Sequence, residues 1–220
     1  MATGLATPTN TAHAAKQRAG ESRSTLFNSL FLDTGCAVMV YDAAGTIVCA
    51  NARADAILST NGPIAEKRLH DVLPGAIAEE RLIAAARVFE SGEPAVIDGM
   101  IGGRMLRGTL RALEGESPAD RRVIEVLRPV AADAPKPDGL YYVRARNDDE
   151  GVIRTLTARE REVLEHIGRG LSTAEIAESL GRSTKTVEWH RVSLGSKLGI
   201  ANRVELARIA IRAGLTSLED

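Results

Sequence analysis

Aromatic side chains are scarce in this 220-residue sequence, which has one Trp, three Tyr and three Phe. Hydrophobic residues make up 44% of it, enough for a packed core, but that core must be built from Leu, Ile, Val and Ala. Cysteine is nearly absent. Cys36 and Cys49 are too few for a disulfide framework, and no C-x-x-C is present to knot a metal. An excess of either charge is missing too: the net charge is -1, which excludes a surface that is basic throughout. Any nucleic-acid footprint must therefore be local. No apolar run approaches the ~18 residues of a membrane helix, and the first residues lack the apolar stretch of a secretory signal. The expectation is a reduced, cytoplasmic setting with no membrane partner. G-x-S-x-G, H-E-x-x-H and G-x-x-x-x-G-K-[ST] are all missing, and His13, His70, His166 and His190 are scattered. No enzyme is expected.

What is present divides by texture. Residues 1–21 are small and polar without periodicity and read as a disordered tail. Their Ala and Thr content, with Lys16 and Arg18, also suits a transit peptide. Residues 22–130 alternate between strand-like and helix-like runs. Leu26, Phe27, Leu30 and Phe31 make a helical stripe. Residues 37–41 and 46–50 are β-rich runs around a D-x-x-G turn, which predicts a hairpin. Residues 51–58 are Ala-rich and helical. Residues 79–90 carry Leu82, Ile83, Ala86 and Phe89, predicting a second amphipathic helix with those residues inward. Strands are predicted at 95–100, 104–113 and 121–130, the last two joined by a turn at 114–118. Residues 131–154 read as a linker, rich in Pro and Ala and then acidic. Within it, residues 140–143 form a candidate strand that could join the first domain's sheet.

The order strand, strand, helices, three strands is that of an α+β domain with an antiparallel sheet. In V-M-V-Y-D-A-A-G-T-I-V-C-A-N-A-R-A-D-A-I-L (38–58), L-H-D-V-L-P (69–74) and the S-G-E-P turn (91–94), it resembles a PAS domain. That resemblance implies sensing or dimerisation and leaves room for a small ligand of unknown identity. No cofactor is identifiable. The family's haem-binding members supply His from the later helix, and residues 79–90 have none, which leaves only His70. The flavin-linking Asn-Cys-Arg-Phe motif is absent. Cys49 is expected on a strand facing the ligand cavity, acting as a small buried hydrophobe, and Cys36 and Tyr41 as packing residues.

The last quarter is the most legible. Thr157 with Glu160, and Ser172 with Glu175, are capping boxes, each of which starts a helix. Val163, Leu164 and Ile167 stripe the first helix; Ile176, Ala177 and Leu180 stripe the second. Ser183 caps a third, with Val187, Leu194 and Leu198 on one face. Asn202 caps a fourth, whose expected inner residues are Val204, Ala207 and Ile211. Two short capped helices across a three- to four-residue turn are a helix-turn-helix. Between Arg182 and Arg203 lie five positive residues (Arg182, Lys185, Arg191, Lys197, Arg203) and one negative, Glu188. That local excess is what phosphate contacts require. With Val187 inward, Lys185, Trp189, Val192 and Ser196 face outward, flanked by Glu188 and Ser193. Glu188 suits cytosine N4, unless it pairs with Lys185 along the helix; Val192 suits a thymine methyl. Gly195 sits inside this helix, where it either admits a phosphate or loosens the last turn.

L-T-x-R-E-x-E-V-L, G-L-S-x-x-E-I-A, S-x-x-T-V-E-x-H, K-L-G-I and N-R-x-E-L, in that order, closely resemble the LuxR-type helix-turn-helix, also called the FixJ or NarL type. The resemblance implies an all-α four-helix domain over 155–220 whose third helix reads double-stranded DNA and whose fourth helps form a homodimer. It carries base contact to Glu188, Trp189 and Val192. The full expected DNA-binding set is Ser183, Thr184, Lys185, Glu188, Trp189, Arg191, Val192, Ser196, Lys197 and Arg203. The expected protein is a PAS-like sensor domain (22–130) followed by a DNA-binding domain, a transcription regulator that contacts RNA polymerase. A phosphoacceptor receiver is not recognisable. The rival reading is an interaction module whose helix-turn-helix contacts the transcription machinery with little direct DNA binding.

Overall fold

The computed structural model describes residues 31, 34–59, 61–113, 115 and 120–216. Residues 1–21, Leu26, Phe27, Leu30 and most of the 114–118 turn lie outside the described residues. The elements named below all fall in one unit, Cys36–Asp220.

β1 (Ala37–Asp42) and β2 (Ile47–Ala50) pair antiparallel. Asp42 makes their turn, its Oδ1 accepting the amides of Ala44 at 2.9 Å and Thr46 at 2.8 Å. Gly45 supplies the positive φ of 81° that the turn needs. Asn51 then caps α1 (Ala52–Leu58), accepting from the Ala54 amide. α2 (Leu69–Val72) and α3 (Gly75–Ser91) follow, and α3 stops at Gly92 in the left-handed conformation. β3 (Ala95–Ile101), β4 (Arg104–Leu113) and β5 (Arg122–Pro129) follow, with β3 antiparallel to β4, β4 to β5 and β5 to β1. β6 (Tyr141–Arg144) joins in parallel along β3, giving the order β2-β1-β5-β4-β3-β6. Strand alternation sends Ala37, Met39, Tyr41, Val123 and Leu127 to one face, where they pack with residues of α1–α3. This is the expected α+β architecture, but its sheet is mixed rather than wholly antiparallel, because β6 lies parallel to β3.

The expectations for α3 and for Cys49 need correction. In α3 the buried residues are Ile77, Ala78, Arg81, Ala84, Ala85 and Val88, while Ile83 is 68% exposed and Ala86 is exposed. Leu82 and Phe89 are half-buried against the core as expected, but the fully buried stripe lies to one side of them and contains an arginine. Cys49 pairs with Val40, on the sheet face turned away from Met39 and Tyr41, and is half-buried. Burial pushes its thiol pKa up, outweighing the nearby Arg122 charge. His70 lies at the surface, 2.8 Å from Glu79.

Arg81 is held in the core by Glu125 of β5, Nε to Oε1 3.3 Å, and the Tyr41 hydroxyl donates to Glu125 Oε2 at 3.3 Å. Gly108 makes room for this carboxylate: a Cβ there would sit 2.5 Å from Oε1. Burial pushes the Glu125 carboxyl up, against the opposing pull of Arg81 and Tyr41. Among the described residues, Arg81 Nε and Nη2 and Glu125 Oε1 find no partner of hydrogen-bond geometry.

The segment after β5 runs back over the sheet. Asp98 and Arg107, directly opposite on β3 and β4, form a bidentate pair at 2.8 and 2.7 Å. Arg107 also donates to the Pro135 carbonyl, and the Tyr142 hydroxyl to Asp98. Asp148 Oδ1 accepts the Met100 amide at 2.7 Å, and the Gly103 amide donates to the Asp149 carbonyl at 2.8 Å. A 3-10 turn, Gly151–Thr155, leads into four helices: α4 (Ala158–Gly168), α5 (Thr173–Ser179), α6 (Thr184–Leu198) and α7 (Arg203–Arg212). Their core of Val163, Leu164, Ile167, Ile176, Val187, Leu194 and Leu206 continues into Met100 and Met105 of the sheet. Gly168 lets α7 close on α4, because a Cβ there would lie 2.7 Å from the Ala210 Cβ. In α7 the buried residues are Leu206 and Ala210; Val204 is 60% exposed, and Ala207 and Ile211 are half-buried. Leu206 lies about 200° around the helix from Val204, so the expected face was turned.

Candidate nucleic-acid interface

All four helix starts are made as their side chains dictate. Thr157 and Glu160, and Ser172 and Glu175, exchange reciprocal capping bonds; Ser183 accepts from the Thr186 amide and Asn202 from the Val204 amide. Residues 180–183 separate α5 from α6, with Gly181 at φ 59°. Arg159 ties that turn to α4 by donating to the Leu180 carbonyl at 3.0 Å. α6 is anchored inward by Val187 and Leu194.

Glu160 is the central fastening. It is 2% exposed and, besides its capping role, accepts from Ser193 Oγ and Lys197 Nζ of α6, each at 2.7 Å. Burial alone would raise its pKa. Hydrogen bonds from Lys197, Ser193 and Thr157 outweigh that and bring it down to about 2. The carboxylate therefore stays charged and sets the pose of α6 on α4.

The expected site residues fall into two groups. Thr184, Lys185, Trp189, Val192 and Ser196 are exposed, and Trp189 and Val192 are each 66% exposed on the outer face of α6. Lys185 makes no ion pair among the described residues. The other five have internal partners. Ser183 is the cap, Lys197 holds Glu160, and Arg203 donates to the Leu171 carbonyl. Arg191 pairs with Glu188 at 2.9 Å, and Thr173 Oγ1 lies 3.4 Å from the same carboxylate. Glu188 thus pairs with the residue one turn ahead rather than with Lys185. His190 meets the Trp189 ring edge-on at a centroid distance of 5.0 Å.

Gly195 has an internal reason to be glycine. A Cβ would lie 2.6 Å from the Ile200 carbonyl oxygen, and the Ile200 amide donates to the Gly195 carbonyl at 2.8 Å. The chain leaving α6 folds back over this position. Beside it a notch of about 450 Å³ is bordered by Arg191, Val192, Ser196 and Ile200. Sequence reasoning did not find the Glu160 bridge: its capping motif was visible, but its reach to Ser193 and Lys197 spans more than thirty residues.

Residues 154–210 match the family model of bacterial regulatory proteins, luxR family. The transcriptional regulatory protein UhpA of Escherichia coli is 55% identical over 53 residues, 24% of this chain and 27% of that protein. The transcriptional regulatory protein FixJ of Azorhizobium caulinodans is 40% identical over 76 residues, 34% of this chain and 36% of that one. The chain spans about a quarter to a third of the length of these relatives. Among solved structures, the dimer of the LuxR-type receptor VqmA from Vibrio cholerae is similar with a TM-score of 0.42 and 23% identity, covering 86% of this chain and 87% of that one.

Proposed function

We propose that this chain, whose residues 154–210 carry the luxR-family helix-turn-helix, is a sequence-specific DNA-binding transcription regulator that acts as a homodimer. Residues 155–220 read double-stranded DNA, residues 22–130 form the sensing and dimerising domain, and residues 131–154 join them. A cytoplasmic, bacterial-type setting, at the nucleoid when bound, goes with this reading, as does contact with RNA polymerase. The chain itself catalyses no reaction.

The observation that supports it most is the outer face of α6. A Trp and a Val, each 66% exposed, stand one turn apart beside Lys185 and Ser196 on a helix whose other face is fixed. Large exposed apolar groups call for a partner, and a helix of these dimensions with such a face enters a major groove. Arg191 and Glu188 reach DNA by exchanging their mutual pair for phosphate and base contacts.

The test is selection of genomic fragments by the full-length protein, followed by affinity measured against salt. A recovered two-fold symmetric sequence, bound with a steep negative salt slope, is expected. Lys185→Ala should lower that slope by about one. Salt-insensitive binding with no recovered sequence would favour the protein-interaction reading instead.

A further inference from the structure

Arginines that have no acid to pair with are unusual where they converge. Arg53 of α1, Arg104 at the start of β4 and Arg212 at the end of α7 border one cavity of about 260 Å³. Leu106, Pro129 and Ile211 supply its apolar wall. None of the three arginines has an ion pair among the described residues. Partial burial lowers the Arg104 pKa, and the like charges of Arg212 and Arg53 lower it further. Three guanidiniums thus converge on a space with an apolar side, with Arg104 facing the like charges of the other two.

We propose that this cavity binds a small organic anion, a carboxylate or phosphate with an apolar edge. Guanidinium donors in a fork match either group, and charge-assisted bonds of this kind are the strong ones. The flanking Leu106 and Ile211 take the organic part. Duplex DNA is the less suitable occupant, because the cavity lies against the sheet and the end of α7, whereas the exposed reading residues stand on α6. Arg53 and Arg104 belong to the sheet domain and Arg212 to the last helix of the helix-turn-helix. An anion held by all three fastens one to the other, and an empty cavity leaves their repulsion in place. The site is independent of the DNA-reading proposal, and either can fail without the other.

The full-length protein is titrated with inorganic phosphate, phenyl phosphate and benzoate at constant ionic strength, with chloride as control, by calorimetry and thermal melting. Saturable binding is expected, with phenyl phosphate tighter than inorganic phosphate, and a rise in Tm of a few degrees at saturation, on the order that ligand linkage gives. Preference between phenyl phosphate and benzoate tells which anion class fits. Arg104→Gln and Arg212→Gln should each weaken binding about tenfold or more. Without anion, both variants should melt at or above the unsubstituted protein, because repulsion is relieved; a merely damaged fold would melt lower. Absence of saturable binding overturns the proposal, as does equal binding by the variants. It also falls if the variants lose DNA affinity while phosphate never binds, since the arginines would then serve the DNA backbone.

Discussion

Replacing Glu160 by Gln should weaken the helix-turn-helix by an amount that depends on pH. The wild-type carboxylate falls from an ordinary 4.5 to about 2 on folding. At ~1.4 kcal/mol per pH unit this corresponds to about 3 kcal/mol of stability. The folded-state pKa is depressed, so that stabilisation is fully present above about pH 4.5 and is lost as pH falls toward 2. Gln keeps the size and can still accept from Ser193, but it gives Lys197 no charge. Urea unfolding of wild type and Glu160→Gln should therefore differ by about 2–3 kcal/mol at pH 7, with the gap narrowing steadily between pH 4.5 and 2.5. Other carboxylates titrate in both proteins and cancel in the difference. A gap that is the same at pH 7 and pH 3, or one below about 0.5 kcal/mol at pH 7, would refute the account of Glu160 as the charged clasp between α4 and α6.

Gly195→Ala pits helix propensity, worth about 1 kcal/mol in favour of Ala, against a Cβ placed 2.6 Å from the Ile200 carbonyl oxygen. Overpacking against backbone costs about 1–3 kcal/mol, so thermal melting should show net destabilisation. Trp189→Ala removes a ring that is 66% exposed; stability should change by less than about 0.5 kcal/mol, while DNA affinity in an anisotropy titration falls about tenfold or more. Arg81→Met strands Glu125 in the core and should cost about 3–5 kcal/mol. Adding Glu125→Leu should restore much of that loss, and a denaturation double-mutant cycle reads the coupling.

The parts legible in the sequence were those governed by near neighbours. Thr157, Ser172, Ser183 and Asn202 each cap a backbone amide two or three residues away, so four helix starts could be read directly. β-rich runs bounded by turn residues placed β1 through β5 within a residue or so, because both signals need only a few residues to show. Illegible features depend on where distant segments meet. Arg81 counts as polar in any periodicity, yet Glu125, 44 positions later, lets it sit inside, and the inward face of α3 was misread accordingly. Val204 is apolar in the first turn of α7, but the packing of Leu206 and Ala210 against α4 decides which way that helix turns. Among the ten expected DNA contacts, composition could not distinguish Lys185, left exposed, from Lys197, drawn to Glu160 across the domain.

The seam between sheet and helix-turn-helix has a mechanical consequence. The Gly103 amide bonds to Asp149, the Ala132 amide bonds to Gly214 at 3.0 Å, and Gly214 lies so close to Met105 that a Cβ would stand 2.7 Å from it. A connection of this kind has no slack. Heat should melt both cores in one cooperative step, with matching calorimetric and van't Hoff enthalpies. In a dimer, the two reading helices would be carried as fixed teeth on one frame. Such a frame tolerates little change in half-site spacing: inserting a few base pairs at the centre of the operator would abolish binding where a loosely tethered pair would adjust.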